Sequence, residues 1–311
     1  MLVEQLPIIG MDHGNAQLKT HTGFQCQSGF TTLHEEGIVQ KGVLHYQDKY
    51  YAVGSERFAL KSDKTQDEDS FILSLAGIAE SLEKTMAHHG KATDIVLSVG
   101  LPLVSYGRMK ERFRSYFIRD QIAFAYQGMD YRINIKECLV FPQSYSALLT
   151  RYSEFKELPD CNVVDIGGGT TDCFRMERGM LNIASCFSLP IGTIHLYNQV
   201  LQQTFAAGFH LTESQVQQMI LGNQPMFQDA GIYTRVNETT NRFVEKLLAQ
   251  IAEYGLELRL NPTVFVGGGS ILLQAFLPQH SRQIGYHEVI DDAFSNALGF
   301  EMLAAQKMMK K

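Results

Sequence analysis

Polar and apolar positions along this chain alternate between two periods, and the changes of period mark its elements. Pro7 to Met11 is a short apolar run that turns polar at Asp12–Asn15, the signature of a strand delivering a turn. Val43–Tyr46 and Tyr50–Val53 flank Gln47-Asp48-Lys49 and predict a hairpin. Phe71 to His88 carries Phe71, Leu75, Ile78, Ala79, Leu82 and Met86 at helical spacing, after a polar, acidic stretch at Ser62–Ser70. Asp94–Val99 reads as a buried strand and Met109–Phe117 as a helix. Ile122–Tyr126 and Tyr131–Ile135 read as a second hairpin around Gly128, Lys136–Phe141 as a further strand, and Gln143–Tyr152 as a helix opening just after Pro142.

After Pro159 the pattern restarts. Strands are expected at Asn162–Ile166, Thr171–Met176, Leu181–Phe187 and Thr263–Val266. Helices are expected from Leu189–Gly192 through Leu201, at Thr212–Leu221 with Thr212 as N-cap, at Asn237–Leu258, at Ser270–Phe276 and from Ala293 to Lys307. Each half opens with a strand, a polar glycine turn and further strands, and supplies helices later. That coarse duplication predicts two related α/β halves facing one another across a cleft, with a ligand at the C-terminal ends of strands.

Composition narrows the class without naming it. With 311 residues, 45% of them hydrophobic, the chain has material for two domains and can bury roughly 75% of its unfolded surface. The net charge of -6 and the scattered basic residues argue against a direct grip on nucleic acid. The densest basic cluster, Arg108, Lys110, Arg112 and Arg114 with Arg119 beyond, reads as a solvated helix face or a partner contact. The five cysteines offer no Cys-x-x-Cys pair, and Cys138, Cys161 and Cys173 sit in apolar strand contexts, as buried free thiols of a reducing cytoplasm would. No signal-peptide pattern opens the sequence, and no apolar run reaches the roughly 20 residues of a membrane span.

Three glycine-marked segments carry the chemistry. In Asp12-His13-Gly14-Asn15-Ala16-Gln17-Leu18-Lys19 a strand delivers Asp12 to a turn whose amides can face a phosphate; Gly14 permits close approach, and Lys19 supplies a cation. A plain hairpin with a lone lysine is the competing reading. Asp165-Ile166-Gly167-Gly168-Gly169-Thr170-Thr171-Asp172 says more. Three consecutive glycines in a strand setting forgo roughly 2–3 kcal/mol against alanine, and close backbone contact with a polyphosphate would explain that cost. Asp165 at the strand end is placed to hold a hydrated Mg²⁺ or orient a water. The third segment, Val266-Gly267-Gly268-Gly269-Ser270, would let the backbone lie flat along an adenosine; it is neither a dinucleotide fingerprint nor a Walker A loop. Two lesser junctions, Phe141-Pro142-Gln143-Ser144 and Asn296-Ala297-Leu298-Gly299, join them.

In this order the five segments resemble the phosphate-1, connect-1, phosphate-2, adenosine and connect-2 segments of the actin, heat-shock chaperone and sugar-kinase superfamily, and they span residues 8 to 300. The resemblance implies an actin-like (ribonuclease H-like, duplicated) α/β fold around a nucleotide cleft, with domain I formed by residues 1–158 and 291–311 and domain II by 159–290. The compact length and the opening Asp12…Lys19 segment are most similar to the bacterial ParM/StbA plasmid-segregation group. What that group implies is a cytoplasmic filament that hydrolyses ATP or GTP slowly with Mg²⁺ and reaches plasmid DNA through a DNA-binding adaptor. A small-molecule kinase, with Asp172 as its base, and a chaperone-like or assembly ATPase stand as alternatives.

Carried over by position, the resemblance gives Asp12, Gly14, Asn15 and Lys19 to the phosphates and metal. It gives Asp165 to the metal's water shell, and Gly167, Gly168, Gly169, Thr170 and Thr171 to the phosphates. Gly267, Gly268, Gly269 and Ser270 go to the adenosine, Gly192 to the nucleotide edge, and Glu245 and Lys246 to the ribose or base. Gln143 and Asp165 would position the attacking water. Here the sequence departs from ParM proteins, which commonly have glutamate where this chain has Gln143; glutamine orients water but cannot take its proton. Ser62–Ser70 and Pro225–Tyr233 are candidate filament contacts.

Overall fold

The computed structural model describes residues 6–34, 41–61, 63–84, 92–156, 158, 160–223 and 229–310. The chain divides into two compact units, Met1–Thr150 with Phe294–Lys311, and Arg151–Ala293. The first contains β1 (Ile8–His13), β2 (Gln17–Thr20), β3 (Gln25–Gln27), β4 (Phe30–Leu33), β5 (Val43–Tyr46), β6 (Lys49–Val53), α1 (Asp69–Lys84), β7 (Thr93–Leu101), α2 (Leu103–Phe117), β8 (Arg119–Tyr126), β9 (Met129–Pro142) and α3 (Tyr145–Leu149). The second contains α4 (Tyr152–Phe155), β10 (Asp160–Ile166), β11 (Thr171–Glu177), β12 (Met180–Leu189), α5 (Thr193–Phe205), α6 (Glu213–Ile220), α7 (Ala230–Glu253), β13 (Thr263–Val266), α8 (Gly268–Leu273) and β14 (His287–Val289). The chain then returns to the first unit as α9 (Ser295–Met309).

In the first unit the strands form one sheet in the order β3-β2-β1-β7-β9-β8-β5-β6-β4. Its centre is parallel: β1 runs with β7, Met11 opposite Val99, and β7 with β9, Leu101 opposite Pro142. Their C-terminal ends therefore lie side by side, which brings Asp12 and Gln143 to one edge although 131 positions separate them. Helix α1 is buried on nearly every side, with Phe71, Leu75, Ile78, Ala79 and Leu82 at zero exposure, so its apolar stripe is wider than that of a surface helix. Each of the fully buried Phe, Leu and Ile side chains contributes about 1.5–3 kcal/mol relative to exposure.

The second unit repeats the plan in a smaller sheet, β12-β11-β10-β13-β14. Strand β10 is antiparallel to β11 and parallel to β13, with Asp165 opposite both Asp172 and Val266. Helices α5, α6 and α7 cover it around Leu196, Val200, Val216, Val236, Phe243 and Leu247.

Several boundaries differ from the pattern reading. Tyr131–Ile135 and Lys136–Phe141 are one strand, β9, because a register shift beside Ile95 and Val96 lets pairing with β7 run on. Helix α2 begins at Leu103, directly after Pro102, and α7 begins at Ala230, where Asp229 caps the Gly231 amide at 2.7 Å. In the β5–β6 hairpin Lys49 is already strand; the turn is Gln47-Asp48, with φ of 50° and 58°. Strand β14 was not predicted, being three residues long, and Gln143 precedes rather than begins a helix. The Thr212 cap holds as expected, its hydroxyl accepting from the Gln215 amide at 3.2 Å. Cys138, Cys161 and Cys173 are buried free thiols, as their strand contexts required.

Candidate functional site

In the first unit the site starts from a cross-strand pair. β1 and β2 form a hairpin in which Asp12 stands opposite Lys19, so their side chains share one face. Lys19 is buried to 8% exposure. Burial pushes the Asp12 carboxyl up from its ordinary value, while Lys19, Lys64 and hydrogen bonds from Gln143 and Asn296 pull it back. Gln143 Nε2 donates to Asp12 Oδ1 at 3.0 Å. That assignment leaves Gln143 Oε1 as an acceptor for a water O–H. Gly14 and Asn15 form the turn, and Ser28 Oγ braces it by donating to the Gly14 carbonyl at 2.6 Å.

Lys64 is the residue that the sequence reading missed here. It enters from the loop before α1 and its ammonium donates to the His13 carbonyl. Burial lowers its pKa to about 8, against the raising effect of Asp12. The loop is held from outside: Asp63 pairs with Arg112 at 3.0 Å, Lys61 with Asp67 and Asp69 at 2.6 and 2.5 Å, and Arg119 with Glu68 at 2.5 Å while stacking over Phe71. Arg112 and Arg119 each pair with an acid of this loop, Arg112 with 57% of its side chain still exposed, as on a solvated face. The expected contact stretch Ser62–Ser70 is occupied largely by these internal pairs; residue 62 lies outside the described residues. His13 itself is a core residue, its ring 5.0 Å from Phe117 and Nε2 2.7 Å from Ser74 Oγ, with burial lowering its pKa to about 3.

In the second unit the site is mostly backbone. The carbonyls of Gly167 and Gly168 accept from the amides of Thr193 and Ile194, the first residues of α5, at 3.0 and 2.9 Å. Because a trans peptide points its C=O and N–H in opposite directions, the amides of Gly168 and Gly169 are turned away from α5. They form a donor pair suited to an anion. This docking explains Gly192: a Cβ there would stand 2.5 Å from both glycine carbonyls. Its place is packing under the loop. Thr171 is fully buried and donates to the Ile191 carbonyl at 2.7 Å, while Thr170 Oγ1 donates to Asp172 Oδ2 at 3.1 Å.

Asp165 and Asp172 face each other across β10 and β11. Burial raises the Asp172 pKa, offset by hydrogen bonds from Ser188 and Thr170, and its Oδ1 is buried with no hydrogen-bond partner. A buried acceptor without a donor costs about 1–3 kcal/mol, and a metal-bound water would satisfy it. Among the described residues no group of three His, Cys, Asp or Glu side chains could hold a metal alone. The Asp165–Asp172 pair with its orphaned oxygen would suit an Mg²⁺ that brings phosphate and water ligands, the usual habit of that ion.

The third glycine segment meets the second at Asp165. Gly267 has φ of 87°, and a Cβ on it would overlap Asp165 Oδ1. Gly268 is exposed and Gly269 buried. Ser270 is fully buried and donates to the Val266 carbonyl at 2.5 Å, so its side chain serves α8. Glu245 and Lys246 lie on the exposed side of α7, where the Glu245 carbonyl accepts from Gln283 at 3.2 Å. Of Pro225–Tyr233, residues 225–228 lie outside the described residues and Asp229 caps α7.

Residues 10–145 match the model of the actin-like proteins' N-terminal domain, and residues 163–279 match that of the archaeal actin homologue MreB-like C-terminal domain. A search of the curated proteins gives no significant match. Among solved structures, the archaeal actin homologue Ta0583 superposes with a TM-score of 0.77 at 20% identity, covering 97% of this chain and 100% of that one. Its complex with ADP gives 0.73 at 19%, covering 97% and 100%. A 15-stranded ParM filament from Clostridium botulinum gives 0.75 at 16%, again covering 97% and 100%. Among the described residues no helix is long and apolar enough to cross a membrane. The two domain models, in order along most of the chain and on an actin-like fold, show that this chain belongs to the actin-like proteins.

Proposed function

We propose that this chain is a nucleotide-dependent, filament-forming ATPase of the ParM/StbA type, coupled to plasmid DNA through a DNA-binding adaptor protein and working with Mg²⁺ in the cytoplasm. The observation that carries the nucleotide reading is the Gly167–Thr170 loop, whose carbonyls are bound by α5 and whose next two amides are turned outward as a pair. The orphaned Asp172 oxygen beside Asp165 supports a hydrated metal at the same loop. ADP in the Ta0583 complex and assembly in the ParM filament support nucleotide binding and polymerisation for this fold at low identity.

The chemistry asked of the chain's own residues is positioning and charge stabilisation. The outward amides, Lys19 and Lys64 would hold phosphate oxygens. Gln143, fixed by its bond to Asp12, would orient a water through Oε1 without accepting its proton, which keeps hydrolysis slow. A kinase reading would need a base aimed at a substrate hydroxyl, and Asp172, at 6% exposure inside a sheet, is poorly suited to that.

The test is light scattering and sedimentation with Mg-ATP, Mg-GTP and the diphosphates, with phosphate release followed in parallel. Cooperative growth above a critical concentration is expected, with turnover falling at least tenfold in Gln143→Ala and Asp165→Ala. A chain that stays monomeric at high concentration with every nucleotide rejects the filament reading, and unchanged phosphate release in both variants rejects the site.

A further inference from the structure

Gln143 is held by an unusual piece of backbone. The Tyr145 amide donates to the Gln143 carbonyl at 2.6 Å, and Ser144 between them has φ of 63° and ψ of -52°. These values define a γ-turn of the rare, strained hand, on a residue with a Cβ. Such a conformation persists only where its surroundings over-determine it.

Three contacts do so. The Gln143 amide donates to the Leu101 carbonyl at 2.8 Å, fixing the turn to the end of β7. Ser146 Oγ donates to the Pro142 carbonyl at 2.6 Å, closing the far side. The third comes from the other end of the chain: Asn296, in the first turn of α9, accepts the Ser144 amide at 2.9 Å through Oδ1. The same side chain is hydrogen-bonded to Asp12. With Oδ1 taken by Ser144, the Asn296 amide nitrogen is the donor available to a carboxylate. Gln143 donates to that carboxylate as well, so Asn296, Asp12 and Gln143 close a ring that includes the strained turn.

Helix α9 has little freedom to place Asn296 elsewhere. A Cβ on Gly299, one turn on, would overlap the Ser146 carbonyl, so α9 and α3 touch backbone to backbone. Ser98 Oγ on β7 donates to the Phe300 carbonyl at 2.8 Å. Asn296 is itself 7% exposed.

We infer that Asn296 is a positioning residue for hydrolysis: from α9 it holds the Gln143-Ser144-Tyr145 γ-turn and Asp12 in register, and so sets where the Gln143 amide presents its oxygen to water. The inference rests on the nucleotide-hydrolysis reading of this site. It assigns no direct contact with nucleotide to Asn296, and this separates its effects on turnover from effects on binding.

The experiment compares the native chain, Asn296→Ala, and Asn296→Ala combined with Ser144→Gly, each measured for Mg-ADP affinity, single-turnover phosphate release at saturating Mg-ATP, and melting temperature. Glycine at 144 carries no Cβ and relieves the strain of the turn, so the double variant can fold if the single one does not, but without Asn296 it lacks the bond that ties the Ser144 position to α9 and holds it in register with Asp12. The expected result is affinity within threefold of native in the variants that fold, with phosphate release at least tenfold slower in both. Native phosphate release in Asn296→Ala overturns the assignment. So does recovery of phosphate release in the double variant in step with its melting temperature, because Asn296 would then act through stability alone. A native chain that binds no Mg-nucleotide overturns the hydrolysis reading itself and the assignment with it, an outcome distinguished by the native control.

Discussion

The two units carry similar strand plans but build their candidate phosphate sites from different materials. Around Asp12 the work falls to side chains: a carboxylate ringed by Lys19, Lys64, Gln143 and Asn296, drawn from β2, the loop before α1, the end of β9 and the start of α9. Around Gly167–Thr170 it falls to the main chain: carbonyls docked on α5, amides turned outward, and glycines at 192 and 267 where any side chain would collide. A main-chain site tolerates almost no added volume. A side-chain site tolerates volume but depends on charges whose desolvation must be offset by partners.

The largest effect should come from adding volume to the main-chain site. Gly192→Val places a branched side chain against the Gly167 and Gly168 carbonyls, which must move and release the α5 amides. A loss of about 3 kcal/mol in urea unfolding is expected, with Mg-ADP affinity down more than a hundredfold. Affinity within threefold of native would show that the loop's docking on α5 does not shape the site.

A smaller, charge-dependent effect is expected in the first unit. Lys64→Met removes a cation that faces the β1–β2 turn and should weaken triphosphate binding about tenfold more than diphosphate binding. The sign of the pH dependence follows from the lowered pKa of about 8. The ammonium is present below that pH and lost as pH rises through it, so the native preference for triphosphate should decline above pH 8. By linkage the folded state binds fewer protons than the unfolded between about 8 and the ordinary lysine value, so this group makes stability rise with pH there. Titrating both nucleotides from pH 6.5 to 9.5 in native and Lys64→Met chains checks the first point, and urea unfolding of both chains over the same range checks the second; a preference flat with pH in the native chain would exclude Lys64 from the site.

The smallest effect separates side chain from main chain within one segment. Ser270→Ala removes the buried bond to Val266 and should cost about 1 kcal/mol in unfolding, with nucleotide affinity unchanged within twofold. A tenfold loss of affinity would return the Ser270 hydroxyl to the nucleotide site.

Much of this was legible in the sequence, for physical reasons that differ between the sites. Strands β10 and β13 end in glycine runs, and a glycine run in a strand setting declares itself because its cost demands an explanation. The β1–β2 hairpin places Lys19 opposite Asp12 by local register alone, so that pair was also readable. Lys64 was not. It sits in a polar, acidic loop whose acids pair with Arg112 and Arg119, and nothing in the spacing of Lys61–Asp69 says which lysine turns inward. Ser270 was readable as a helix start, but which partner its hydroxyl takes is decided by the turn of α8 beneath it.

By itself the sequence determined the order of strands, glycine turns and helices, because periodicity and glycine cost act over a few neighbouring residues. It also determined the five segments whose order marks an actin-like chain. Only the tertiary structure decided which distant groups share a carboxylate. Parallel pairing of β1, β7 and β9 brings Gln143 beside Asp12, and the close contact of α9 with α3 brings in Asn296. Hydrogen bonds and desolvation act through space, and that space exists only after the sheet has closed and the helices have packed on it.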